Sequence, residues 1–215
     1  MTRRGARFAG LLLGLGLAVP TALAAQGRVG IGVELGYTRA SFSGASSRGV
    51  TLHEGAVAGA FFLAPITPWL ALRPGIQIAS KGGATGAIRV TDSTSVRVDL
   101  ELVYLDLPVL LRARLAGPGG VRLVLTGGMV PGLRIGCNVE VSDSTGLALR
   151  NACDQEGLGT FRSLDVEALG GVGIGIPIEA SELTIEARVS QGLRSISDAG
   201  DLKNRALTFI ISVPF

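Results

Sequence analysis

Few residues in this chain have the chemistry to react or to bind a ligand, and they are scattered. The only cysteines, Cys137 and Cys153, flank the stretch GCNVEVSDSTGLALRNACDQEG. In an exported protein an even cysteine count reads first as a disulfide, and closing a loop of that size contributes about 3 kcal/mol. A zinc site would need nearby histidines or paired CxxC spacing, and neither is present. His53 is the sole histidine, next to Glu54 and near Ser46 and Ser47. A lipid-deacylating or acyl-transferring site would need a serine, a histidine and an acid that meet at the outer interface. No spacing here singles out a nucleophile, so His53 is expected as a solvated loop residue. The run GGVGIG (170–175) has its glycines alternating with Val172 and Ile174. That is a strand with small inward residues, whereas a nucleotide loop needs its glycines to open a helix. Asp92, Asp143, Asp198 and Asp201 have the chemistry for calcium or for cations that bridge lipopolysaccharide, and are expected to be solvated. Neither a cofactor nor a metal nor a catalytic residue is expected.

The elements that must position these residues are strands. Eight segments past residue 26 have strand character, near 28–42, 54–64, 69–81, 97–115, 120–135, 161–178, 182–194 and 203–215, and none shows a helical period. In the last of them Leu207, Phe209, Ile211, Val213 and Phe215 share one face, with Ile210 the exception on the other. The fourth changes phase: Val96, Val98, Leu100 and Leu102 are apolar at even positions, then Val103 to Leu111 at odd ones. A bulge or a strand that continues past the bilayer is expected there, with Val103 to Ala113 as the membrane part. Short connections at 64–68, 116–120 and near Ala180-Ser181 alternate with long ones at 43–53, 82–96, 136–160 and 195–202. This is the layout of an eight-stranded antiparallel up-and-down transmembrane β-barrel, with short turns and both termini on the periplasmic side.

Alternation alone does not say which face is inside. A soluble lipocalin-like barrel would turn its apolar rows inward around a ligand; a membrane barrel does the reverse. The polar rows favour the membrane. They are built of small residues with charges of both signs, as the cramped interior of eight strands demands. Glu34, Arg73, Asp106, Arg112, Arg122, Asp165, Glu167, Glu186 and Arg188 are expected to neutralise one another in an interior network. Only two of the 20 basic residues are lysines, Lys81 and Lys203, and arginine's forked donors suit buried pairing with carboxylates. Tyr37, Phe61, Trp69, Tyr104 and Phe215 are the candidates for aromatic girdles at the two interfaces.

The N-terminus has the form of a secretory signal peptide. MTRRGAR carries three arginines, Phe8 to Val19 is a short apolar core, and Ala22-Leu23-Ala24 fits the cleavage rule, with a cut after Ala25 the close alternative. Residues 1–25 are expected to be removed and 26–215 to form the barrel. Arg3, Arg4 and Arg7 account for the whole formal charge of +3. The mature chain is therefore neutral, and nucleic acid is not an expected partner.

Four stretches carry a resemblance: IQIASKGG (76–83), YLDLPVLLR (104–112), EARVSQGLRSIS (186–197) and KNRALTFIISVPF (203–215). In that order the chain resembles the PorT-like family of bacterial outer-membrane β-barrels over nearly all of its mature length. The two cysteines are not a feature of that family. The resemblance implies an eight-stranded barrel in outer-membrane lipid, inserted by the barrel-assembly machinery. That machinery reads a last strand ending in an aromatic residue, here Phe209, Ile211, Val213 and Phe215. Some members take part in protein secretion. The expectation is a non-enzymatic outer-membrane protein with a filled interior and a structural or interaction role, accessory to secretion. The alternatives are a lipid-modifying enzyme on the same scaffold, a passive pore, or the soluble ligand-binding barrel.

Overall fold

The structure is a computed structural model that describes residues 29–45, 47, 49–85, 88–89, 95–143, 148–153, 161–179, 181–198 and 200–215. The expected signal peptide and both candidate cleavage sites lie outside the described residues. Twelve strands are described: β1 Gly30–Ser43, β2 Val50–Thr51, β3 His53–Pro65, β4 Leu70–Thr85, β5 Ile88–Arg89, β6 Ser95–Asp106, β7 Val109–Ala116, β8 Arg122–Asp143, β9 Ala148–Ala152, β10 Leu164–Ile178, β11 Ser181–Gly192 and β12 Lys203–Pro214. All pairings are antiparallel, and β12 pairs with β1 from Gly32↔Pro214 to Ser43↔Lys203, which closes the sheet on itself. Closure removes the unpaired edges that an open sheet would present.

The ring has eight wall positions because β6 and β7 share one, between β4 and β8. They are separated by Leu107-Pro108, and proline has no N–H for a ladder. The break leaves its backbone groups bonded all the same: Leu107 N donates to Pro131 O at 2.8 Å, and Gly75 N to Pro108 O at 2.9 Å.

Apolar rows face out and polar rows face in over the middle of the wall. Ile31, Val33, Leu35, Ile76, Ile78, Val109, Leu111, Leu123, Leu125, Val172, Ile174, Ile185, Val189, Phe209 and Ile211 are exposed, whereas Glu34, Arg73, Asp106, Arg112, Asp165, Glu167, Glu186 and Arg188 are buried. An interior of this polarity with an exterior band of this kind is the membrane arrangement; the lipocalin-like alternative requires the opposite. Ile210, the exception in the last strand, points inward and packs on Val57 and Ala79.

Towards the long connections the pattern inverts. Strands run farther than expected there, β4 to Thr85, β6 from Ser95 and β8 to Asp143, so most of the supposed loop 82–96 and half of 136–160 is sheet. The fourth segment keeps one phase throughout: Leu102, Tyr104, Asp106, Leu110 and Arg112 are all buried at even positions. What changes is the polarity of each face. Above Tyr104 the inward residues are apolar, and Phe42, Leu102, Tyr104 and Ile196 form a core with Val50, Leu100, Cys137 and Leu202 packed against it. Arg97, Asp99 and Glu101 hold the outward positions. A bulge does occur, as a register shift against β8 between Val103↔Gly136 and Tyr104↔Arg134. The strands thus leave the lipid band as a small water-facing extension with its own core. Tyr104 belongs to that core and Phe61 is buried in the lumen, so neither joins a girdle; Tyr37, Trp69 and Phe215 are exposed.

Candidate functional site: the barrel interior and the wall above it

Three layers of polar side chains fill the lumen. At the end holding the chain termini, Arg112 Nη2 donates to Glu182 Oε1 at 2.7 Å and to Thr184 Oγ1 at 2.6 Å, and Arg122 Nη1 donates to Glu182 Oε2 at 2.7 Å. Arg122 is at the rim, its side chain 43% exposed. In the middle layer Glu34 Oε2 accepts from Arg73 Nη2 at 2.7 Å and from Arg188 Nη1 at 2.9 Å. Arg188 also grips Glu186 with two bonds, at 2.9 and 3.0 Å, the forked geometry that only arginine offers. Arg73 lies over the Phe61 ring at 3.7 Å, a cation–π contact strengthened by desolvation. In the third layer Lys81 Nζ lies 2.9 Å from Asp106 Oδ2 and 3.0 Å from Glu167 Oε1. Asn204 Nδ2 donates to Asp165 Oδ2 at 2.7 Å and to the Tyr104 hydroxyl at 3.3 Å.

All nine charged residues singled out in the sequence face this lumen, but they form separate groups and need partners that strand parity alone did not single out. Glu182 bridges two arginines and Lys81 joins two carboxylates. Both occupy inward positions of their strands, which was the available signal. Glycines supply the room. A Cβ at Gly171 would lie 2.6 Å from Glu186 Oε1, and one at Gly132 2.2 Å from Asp106 Oδ1.

Above the layers, Cys137 on β8 and Cys153 just after β9 form a disulfide with a Cα–Cα distance of 5.4 Å. The segment between them is not a plain loop: β9 returns along β8, from Asn138↔Ala152 to Ser142↔Ala148. Phe209, Ile211 and Phe215 of the closing segment are exposed on the outer face, and Val213 is half-buried beside them.

His53 departs from the expectation of a solvated loop residue. It is the first residue of β3 and is 9% exposed. Its Nδ1 lies 2.6 Å from Asp99 Oδ1 and its Nε2 3.3 Å from Ser80 Oγ. Ser80 Oγ is also 3.1 Å from Glu101 Oε1, and Glu101 pairs with Arg150 and accepts from Asn138 Nδ2 at 3.3 Å. Of the serines considered from sequence, Ser47 has its Oγ donating to Gly44 O at 2.8 Å, and Ser46 lies outside the described residues. Asp99 and Ser80 are 46 and 27 positions from His53, beyond any local motif. Asp198 pairs with Arg162 at 2.7 Å and Asp201 with Lys203 at 3.6 Å; Asp143 ends β8, and Asp92 is not among the described residues. No cluster of three or more metal-ligating side chains occurs among the described residues.

No curated protein matches the chain. Among solved structures it is similar to Neisserial surface protein A, at 10% identity over 88% of this chain and 100% of that one, TM-score 0.49. It is also similar to Ail, the attachment invasion locus protein of Yersinia pestis, solved with the heparin analogue sucrose octasulfate, at 11% identity over 88% and 100%, TM-score 0.42. The translocator domain of the autotransporter NalP from Neisseria meningitidis matches at 8% identity over 90% and 91%, TM-score 0.39. The model of the outer membrane protein beta-barrel domain matches residues 22–198. A closed ring of eight wall strands, a lipid-facing apolar band and that match agree: the chain belongs to the outer membrane protein beta-barrel domain family and is a protein of the bacterial outer membrane.

Proposed function

We propose that the barrel is a structural and interaction protein that does not conduct, with its termini on the periplasmic side, and that it assists protein secretion in the manner of PorT-like barrels. The observation that carries this reading is the filled lumen. Buried ion pairs occupy its three layers and an apolar core lies beneath the long connections, which supports a lumen too filled for a solute to pass. The PorT-like affiliation draws support from where its four signature stretches meet. Lys81 of IQIASKGG pairs with Asp106 of YLDLPVLLR, Glu186 pairs with Arg188 within EARVSQGLRSIS, and Asn204 of the closing stretch bonds Tyr104 of YLDLPVLLR. Short turns at the terminal end fit the periplasmic orientation.

The test uses the full chain expressed in a Gram-negative host. An outer-membrane band that shifts between unheated and boiled gel samples, and no discrete conductance steps in a planar bilayer, are the expected results; conductance steps would overturn the closed-lumen reading. Comparing the proteins exported by cells with and without the chain tests the secretion role, and an unchanged set removes it. Phe215 is 75% exposed at the end of the seam strand. As part of an assembly signal its replacement by alanine is expected to lower the heat-modifiable fraction severalfold without changing the midpoint of the protein that does fold. An unchanged fraction would remove the signal.

A further inference from the structure

We propose that the outer wall carries a serine hydrolase site, Ser80–His53–Asp99, whose substrate is an acyl ester of a membrane lipid. The three side chains come from neighbouring wall strands, β3, β4 and β6, and have the order that acyl transfer requires. A carboxylate on Nδ1 fixes the imidazole tautomer, and the lone pair on Nε2 then points at a hydroxyl. The distances are 2.6 Å and 3.3 Å. Gly82 follows Ser80 on the same row with φ +151°, and a Cβ there would lie 2.0 Å from Leu100 O of β6.

Position selects the substrate class. Ser80 lies between two buried residues, Ala79 and Lys81, and so faces outward on the row that carries Ile76 and Ile78. Both isoleucines are exposed to lipid, and Ser80 is the first polar residue above them. On β6 the same boundary falls between Val103 and Glu101. Above it a groove of about 640 Å³ is lined by Arg39, Leu52, His53, Arg97, Asp99 and Glu140 among others. A lipid whose headgroup lay in that groove and whose chain lay along Ile78 and Ile76 would have its ester carbonyl level with Ser80.

The chemistry balances with water alone. Ser80 Oγ adds to the ester carbonyl carbon as its proton passes to His53 Nε2, and Asp99 stabilises the imidazolium. The carbonyl–alkoxide bond breaks and the alkoxide takes that proton. Water then repeats the sequence on the acyl-serine and releases a fatty acid. Glu101, 3.1 Å from Ser80 Oγ, competes for the hydroxyl proton; its pairing with Arg150 and Asn138 draws its charge away from the serine. This activity is independent of the role proposed for the barrel, because the site lies outside the lumen.

The experiment labels the purified full chain in detergent with a fluorophosphonate probe. It then measures fatty acid released from vesicles of phospholipid alone and of phospholipid with lipopolysaccharide. Labelling of the native chain and its loss in Ser80→Ala are expected, with the heat-induced gel shift reporting that each variant folds. Acid from the first vesicles assigns glycerophospholipid, and acid only from the second assigns lipopolysaccharide. Asp99→Asn is expected to reduce turnover on the order of 10³-fold or more, with a displaced acid limb of the pH profile. A folded native chain that neither takes the probe nor releases acid, or a Ser80→Ala variant that labels equally, overturns the proposal.

Discussion

Replacing Glu34 by alanine is expected to destabilise the barrel by about 3–5 kcal/mol, the range for removing one partner from a buried ion pair. Glu34 is 1% exposed and accepts from both Arg73 and Arg188. Arg188 would keep its two bonds to Glu186. Arg73 would keep the face of Phe61 but lose its hydrogen-bonded carboxylate, and a buried guanidinium so deprived is what makes the change expensive. The measurement is equilibrium unfolding in detergent micelles, followed by the fluorescence of Trp69, the single tryptophan, exposed on the turn before β4. Arg122→Ala is the control. Arg122 pairs with Glu182 in the neighbouring layer from the exposed rim, so its loss is expected to change stability by no more than about 1 kcal/mol. Equal midpoints for Glu34→Ala and the native chain would mean that water reaches this layer and that the lumen is not sealed.

Reducing the disulfide, or replacing Cys153 by serine, is expected to loosen the extension and spare the wall. A cross-link closing a loop of this length contributes about 3 kcal/mol by limiting the unfolded chain, and here the sequence separation is 16. β9 is paired only with β8, and all five of its residues are exposed. The bridge is therefore the main tie holding β9 at its far end. Amide exchange in β9 should accelerate by about a hundredfold on reduction, the equivalent of that free energy. Exchange in β1, β11 and β12, closed by their own ladders, should stay unchanged, as should the gel shift. Uniform acceleration across all strands would show that extension and wall unfold as one unit.

These effects explain what the sequence could and could not disclose. The wall was legible because period-two alternation is a local property, and a one-residue slip would put every lipid-facing side chain in the lumen. The short turns at 64–68 and 116–120 were legible for the same reason, from proline and glycine. The extension was misread as loop because its apolar residues change face. Leu100 and Leu102 sit on the even row, where the membrane part of the strand carries Asp106 and Arg112, so the combined pattern looks like a change of phase. Phe61 and Tyr104 were misplaced because an aromatic near the end of a strand suits either a girdle or a cap, and only packing decides. The grouping around His53 was not legible at all. Ser80 and Asp99 acquire their meaning from the closeness of β3, β4 and β6 in space, and no interval along the chain encodes it.

Ladder hydrogen bonds join each strand only to its two neighbours, so they act as hoops: they hold the circumference and leave the cross-section free to flatten into an ellipse. Glu34 to Arg73 spans from β1 to β4 over β3, Arg188 to Glu34 spans from β11 to β1 over β12, and Arg112 to Glu182 crosses from β7 to β11. These contacts are spokes. Short and charged, they resist ovalisation at two heights, so the tube meets lateral pressure from the surrounding lipid as a braced cylinder. Whatever docks on its rim or its outer wall therefore meets a surface whose curvature does not change.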